Sequence, residues 1–265
     1  MRQFFFRLVL LFLVVLVIFG VYRLLTIRPL DNVAFFQDQP LMVAVDSRSP
    51  AQVPPYSLAA FDAARQAGAN GLYLPVSLTR DGVLAVTDSA VGELALAEMR
   101  SLDSFSSVVT LQEALAAYPD LRAVVVVRQP SLQTLAALLQ AIDANDARSR
   151  VVAVVDHPLL ADTLREQAPD LGTASTTAET NAFLATKRMR LTPFYRPAAP
   201  ALLLAGGEIN KRLVDAARSR GIHLLALAGE QNSAAVQALI DAGVDGIVLQ
   251  DPALIDGLSW PGQSP

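Results

Sequence analysis

The stretch AVVVVRQPSLQTLAALLQAIDANDARSRVVAVVDHPLLADTLREQ, residues 123–167, decides the fold. It reads as apolar run, helix, apolar run, helix. AVVVV (123–127) and RVVAVV (150–155) are rich in valine and show no apolar–polar alternation, the pattern of strands buried on both faces. SLQTLAALLQAIDAN and PLLADTLREQ space their apolar residues as amphipathic helices do and open on Ser131 and Pro158, residues that suit a helix start. Consecutive strands joined through a helix lie parallel in one sheet.

The same alternation extends in both directions. Further apolar runs are LMVAV (41–45), LYLPV (72–76), VLAV (83–86), LGTAS (171–175), ALLLA (201–205), IHLLAL (222–227) and GIVL (246–249). Helical patterns lie between most of them, with Ser57 and Thr110 placed as N-caps and Gly68, Gly221 and Gly243 as C-terminal breakers. Roughly eight βα units in ~220 residues predict a closed (β/α)8 TIM barrel, with a doubly wound open sheet as the alternative. The alternative lacks support, because no GxGxxG or P-loop follows the first strand. In a barrel, function sits at the C-terminal ends of the strands. This selects Asp46, Arg48, Tyr73, Pro75, Thr87, Asp88, Arg128, Asp156, His157, Glu230 and Asp251.

Composition narrows the chemistry. The chain has 265 residues, 52% hydrophobic and 17% charged, which excludes a disordered chain and fits one large domain. Net charge is −4 and there is no run of Lys or Arg, so a nucleic-acid binder working by phosphate neutralisation is disfavoured. There are no cysteines, which removes disulfides, thiolate metal sites and cysteine nucleophiles. Only His157 and His223 could supply an imidazole.

The N-terminus departs from this pattern. LVLLFLVVLVIFGVY (8–22) carries no charge and is flanked by Arg2 and Arg7 before it and Arg23 and Arg28 after it. Residues 1–28 are therefore expected to form a single transmembrane anchor, with Arg7 and Arg23 reaching the headgroups. No small-residue cleavage site follows, as a secretory signal peptide would require. Basic residues on both flanks give only a slight preference, for a body outside the plasma (inner) membrane, periplasmic in a bacterium. Residues 29–40 read as a linker that delivers Phe35 and Phe36 to the domain or the bilayer, 41–258 as the barrel and 259–265 as a tail.

Three stretches resemble the glycerophosphodiester phosphodiesterase family. PPYSLAAFDAARQAGANGLYLPVSLTRDGVLAVTDSAV (54–91) is similar to the family segment with Pro-Glu-Asn-Thr at a helix start, a Glu-Leu-Asp strand, Leu-Thr-x-Asp-Gly and a His-Asp pair. VTLQEALAAYPDLRAVVVVRQ (109–129) resembles its Pro-Thr-Leu-Glu-Glu helix and following strand. RLTPFYRPAAPALLL (190–204) and IHLLALAGEQNSAAVQALIDAGVDGIVLQDPALI (222–255) resemble its bacterial branch. The resemblance implies a TIM barrel that hydrolyses glycerophosphodiesters. Such a barrel uses Mg²⁺ or Ca²⁺ held by carboxylates, two histidines as acid and base, and an arginine on the phosphate.

Carried over position by position, that chemistry is missing. The first histidine falls at Asp46, and its Arg and Gly neighbours fall at Ser47 and Arg48. The metal-binding Glu and Asp fall at Tyr73 and Pro75, the second histidine at Thr87 with Asp88 after it, and a Glu-x-Lys at Val126 and Arg128. The Glu, Asn and Thr of the helix-start motif fall at Pro55, Tyr56 and Ser57, and a Trp-Thr-Val-Asn at Leu225 to Ala228. The expectation is a membrane-anchored, degenerate member without catalytic residues or a metal cofactor. It would bind a phospholipid-derived headgroup or an envelope protein partner, with Arg48, Arg128 and Asp88 as ligand contacts.

Two alternatives remain open. One is an active diester hydrolase with a metal site rebuilt around Asp46 and Asp88, Asp251 being a further candidate; the other is a structural envelope module. For Asp156–His157, the Pro158 that follows favours a helix start over a catalytic dyad, and His223 is read as a partly buried strand residue.

Overall fold

A computed structural model describes residues 7, 10, 12, 14, 15, 34–36, 53–229, 232–255 and 258, together with the backbone of 41–44. Among the described residues nine strands form one sheet: β1 (Leu41–Ala44), β2 (Gly71–Leu78), β3 (Leu84–Val86), β4 (Arg122–Val127), β5 (Val151–Val155), β6 (Gly172–Thr173), β7 (Ala201–Ala205), β8 (His223–Gly229) and β9 (Gly246–Leu249). All but β3 pair in parallel, in the order β6-β5-β4-β2-β1-β9-β8-β7. A parallel bridge between Ala174 and Ala201 joins the two ends, and the Ser175 N–H donates to the Ala201 carbonyl at 2.8 Å. The sheet is thus a closed ring, the TIM barrel expected from the alternation.

The strands are apolar on both faces because each face meets a different core. Leu72, Leu74 and Val76 of β2 and Ala123, Val125 and Val127 of β4 point outward against the helices. Val124 and Val126, Val152 and Val154, Leu225 and Val248 point inward and fill the barrel. Around the ring lie α1 (Leu58–Gln66), α3 (Leu111–Ala117), α4 (Leu132–Asp143), α5 (Pro158–Gln167), α6 (Thr177–Arg188), α7 (Lys211–Arg218) and α8 (Ser233–Ala242), with a short α2 (Leu96–Arg100) in the β3–α3 segment. Ser57 and Thr110 cap α1 and α3 by accepting the N–H groups of Ala60 and Glu113. Gly243 ends α8 at φ 86°, a conformation that costs an L side chain roughly 1–2 kcal/mol.

The run at 83–86 is not a ring strand. β3 folds back antiparallel on β2, pairing Val76 with Val86 and Leu78 with Leu84. Too few residues separate the two for a crossover helix, so a hairpin is the available connection. Its turn is the LTRDG segment: Thr79 and Val83 bond through both main chain and side chain, and Gly82 takes φ 80°. β3 then opens an excursion packed around Ala85, Val91, Met99 and Val108.

The linker expected over 29–40 contains structure. Ala34–Phe36 form a 3-10 turn that closes the N-terminal end of the barrel. Phe35, 1% exposed, packs with Val124, Val152, Ala201 and Leu225. The Arg122 guanidinium donates to its carbonyl at 3.1 Å and lies over its ring. Phe36 stacks on His223 with ring centres 4.0 Å apart, while His223 Nδ1 stands 3.2 Å from Asp245 Oδ1. His223 therefore opens β8 at the end remote from the mouth.

Most of the anchor proposed over 1–28 lies outside the described residues. Those described within it, Arg7, Leu10, Phe12, Val14 and Val15, are helical and exposed. Among the described residues no helix is long and apolar enough to cross a membrane. The tail at 259–265 also lies outside them.

Candidate functional site

The mouth is built where β2, β3 and β4 end beside the start of α1. Pro54 and Pro55 lead into Tyr56, which holds φ 56°, a left-handed conformation uncommon for a bulky residue. Ser57 fixes this turn by donating to the Pro54 carbonyl at 2.6 Å and accepting from the Ala60 N–H at 3.2 Å. Tyr56 is thereby aimed at Asp88, and its hydroxyl donates to Asp88 Oδ2. Asp88 Oδ1 lies 3.3 Å from Arg128 Nε. Arg128 continues β4, its N–H bonded to the Val76 carbonyl at 3.0 Å. Thr87 is buried, with its N–H on the Pro75 carbonyl at 2.8 Å and its hydroxyl accepting the Ser89 N–H at 3.1 Å.

The electrostatics keep both phenols protonated. Burial, reinforced by the Asp88 carboxylate, pushes the Tyr56 hydroxyl far above its ordinary value. Tyr73 is raised by the same two causes in the same order. The arrangement is one carboxylate held between a phenol and a guanidinium, with a second phenol nearby. A cleft of about 310 Å³ adjoins it, lined by Tyr56, Thr87, Asp88, Ser104, Phe105 and Ser107 among others. The polar side chains lining it are serine, threonine and tyrosine hydroxyls and the carboxylates of Asp88 and Asp103.

The structure thus brings Asp88 and Arg128 together and places Tyr73 at the barrel interior. Arg128 is ion-paired, which alters the expectation of an arginine open to a ligand. Asp46, Ser47, Arg48 and Glu230 lie outside the described residues. Pro75 sits on β2 and Val126 in the barrel interior. Asp156 ties down the start of α6, accepting the Thr177 N–H and hydroxyl, both at 2.7 Å. His157 caps α5, accepting the Leu160 N–H at 3.4 Å, and β4 separates its strand from β2. Asp251 accepts the Ala253 N–H at 2.9 Å. Among the described residues no group of three or more His, Asp or Glu side chains is placed to hold a metal ion. Sequence reasoning missed the bond between Tyr56 and Asp88, 32 positions apart, because no local pattern announces such a pair.

No family model matches the chain, and no curated protein matches it either. Solved structures do. A glycerophosphodiester phosphodiesterase from Agrobacterium tumefaciens str. C58 superposes with a TM-score of 0.66 at 17% identity, covering 82% of this chain and 97% of that one. A phosphodiesterase from Oleispira antarctica, solved with its product sn-glycerol-3-phosphate, gives 0.66 at 16% identity, covering 83% and 96%. A glycerophosphodiester phosphodiesterase from Thermotoga maritima gives 0.62 at 18% identity, covering 84% and 100%. The chain has the barrel fold of the glycerophosphodiester phosphodiesterases.

Proposed function

We propose that this protein is a plasma-membrane-anchored, catalytically inactive relative of the glycerophosphodiester phosphodiesterases that binds a phospholipid-derived ligand or a protein partner at its mouth. The observation that carries the reading is the set of side chains standing where the resemblance calls for metal ligands and proton carriers. Mg²⁺ and Ca²⁺ take several oxygen ligands, carboxylates among them. A phenol at Tyr73, a pyrrolidine ring at Pro75 and an isopropyl group at Val126 do not fit such an ion. The buried Thr87 hydroxyl cannot shuttle a proton near neutral pH as an imidazole does. Asp88 is engaged with Tyr56 and Arg128. Loss of metal and acid–base groups together removes contributions of which a general acid or base alone is worth ~10²–10⁴-fold.

What remains suits binding. The cleft beside Asp88 offers serine hydroxyls and a phenol to a polyol or headgroup, and Arg128 offers an anion contact if Asp88 yields it. The exposed apolar residues of the N-terminal run support the anchor, since Leu10, Phe12, Val14 and Val15 are helical and exposed.

The test is hydrolysis of glycerophosphocholine and glycerophosphoethanolamine by the full chain in mild detergent, with Mg²⁺, Ca²⁺ or EDTA. The expected result is no release of glycerol 3-phosphate above the blank in any condition. Metal-dependent release that Asp88→Ala abolishes would overturn the reading in favour of a working, rebuilt site. A melting shift with the same diesters supports the ligand arm, and no shift leaves the protein partner, to be sought by crosslinking.

A further inference from the structure

The segment KRMRLTPFYR (187–196) carries Lys187, Arg188, Arg190 and Arg196 and no acidic residue, in a chain whose net charge is −4. It begins at the C-terminal end of α6. That end lies opposite the mouth, because Asp156 holds the first residue of α6, Thr177, at the mouth side. The chain turns there through Arg190 at φ 59°, with Arg190 and Leu191 N–H groups donating to the Lys187 and Thr186 carbonyls. A 3-10 turn, Thr192–Phe194, follows. Met189 (59%), Leu191 (43%) and Phe194 (44%) project into solvent between the cations. Among the described residues none of the four cations has an ion-pair partner. By contrast Arg148, near the turn at Ala34, is already shared between Asp143 and Asp170.

The loop is held firmly despite this exposure. The Tyr195 hydroxyl donates to the Glu179 carbonyl, its ring packs on Phe183, and Arg220 donates to its carbonyl at 3.1 Å. It then leads to Pro200, whose carbonyl accepts the His223 N–H at 2.8 Å, and Phe36 stacks on that same histidine. The basic, apolar loop and the Phe35–Phe36 turn therefore share one end of the barrel. Between that turn and the proposed anchor lie residues 29–33, which span at most ~18 Å of chain.

We infer that this end of the barrel docks on an anionic bilayer surface, with Met189, Leu191 and Phe194 entering the interface and the four cations meeting lipid phosphates, so that the mouth faces away from the membrane. Exposed apolar side chains interleaved with cations that are unpaired among the described residues, in a segment with no acid of its own, are what an interfacial contact needs, and the tether emerges at the same end. The mouth would then sample soluble ligands or partners rather than lipid in its own bilayer. The inference rests on the proposed anchor.

The chain has no cysteine, so single-cysteine labels report on it directly. Full-length Met189→Cys and Ser104→Cys proteins, each carrying an environment-sensitive fluorophore, are reconstituted into vesicles of phosphatidylcholine alone or of equal parts phosphatidylcholine and phosphatidylglycerol. The expected result is a blue-shifted label at position 189, shielded from aqueous iodide only with phosphatidylglycerol, and an accessible label at position 104 in both. Each basic side chain at an anionic surface is worth about five-fold in binding, so Arg188→Gln with Arg190→Gln and Arg196→Gln should weaken docking about 100-fold and restore quenching at position 189. A chain that floats with the vesicles but shows equal quenching at position 189 in both lipids overturns the docking. Shielding at position 104 instead overturns the orientation. A chain that does not float with either vesicle overturns the anchor, and the docking with it.

Discussion

Phe35 lies far from most of the sheet in sequence, yet its ring stands among valines and leucines of the barrel interior. Phe35→Ala would leave a cavity at the closed end, and truncations of this kind cost about 3–5 kcal/mol. A clear fall in the melting temperature of the full chain in detergent is expected. Asp88 is a different case. Its ion pair with Arg128 is half exposed on both sides, so its own stability contribution is at most about 1 kcal/mol. Asp88→Asn should leave the melting temperature nearly unchanged while releasing Arg128 and removing a negative charge from the mouth. Titration calorimetry should then show tighter binding of glycerol 3-phosphate, and weaker binding would count against the mouth as an anion site. Ser77 is fully buried and its hydroxyl has no hydrogen-bond partner among the described residues. Ser77→Ala is expected to be neutral or stabilising by up to about 1 kcal/mol in a thermal melt.

At the scale of elements, α3 and α6 begin with the same device. Thr110 and Thr176 accept the N–H groups of Glu113 and Glu179, whose carboxylates return to the threonine N–H groups at 2.8 Å. Each glutamate also holds an arginine at 2.7 Å, Arg100 for Glu113 and Arg165 for Glu179. Burial pushes the Glu179 carboxyl up, but Arg165 and the Thr176 N–H outweigh it and hold the group below its ordinary value of 4.5. Glu113 behaves the same way. A lowered folded value means that these contacts contribute in full above pH 4.5 and are lost as pH falls through the lower folded value. The melting temperature should therefore fall below about pH 4.5. Glu179→Gln should lower the neutral-pH stability by about 1–3 kcal/mol and make the acid branch shallower. The Thr110 start was legible locally, because a cap uses residues within one turn; the Thr176 start was not singled out in the sequence. The β3 hairpin was not read as one, because VLAV is as apolar as any ring strand and only its connection length tells the two apart.

For the whole molecule, the two ends of the barrel carry different sets of side chains. The mouth gathers Tyr56, Tyr73, Asp88 and Arg128, and the opposite end carries the aromatic turn and the basic loop. A chain beginning at residue 29 keeps the Phe35–Phe36 turn and should melt close to the full protein. One beginning at residue 38 loses it, exposes the barrel interior beside His223, and should melt lower and aggregate more readily. Equal melting of the two would show that the turn adds nothing to the barrel.

By itself the sequence determined the alternation of strand and helix, the parallel ring and the identity of the side chains at the mouth. Each of these depends on periodicity, on caps a few residues apart, or on residue type at a known place in the pattern. Only the tertiary structure decided that the ring closes through Ala174 and Ala201, that Asp88 is shared by Tyr56 and Arg128, that Phe35 stops the far end and that His223 lies beneath Phe36. Those contacts join residues from distant parts of the chain, and their energy comes from burial and pairing that exist only once the barrel has closed.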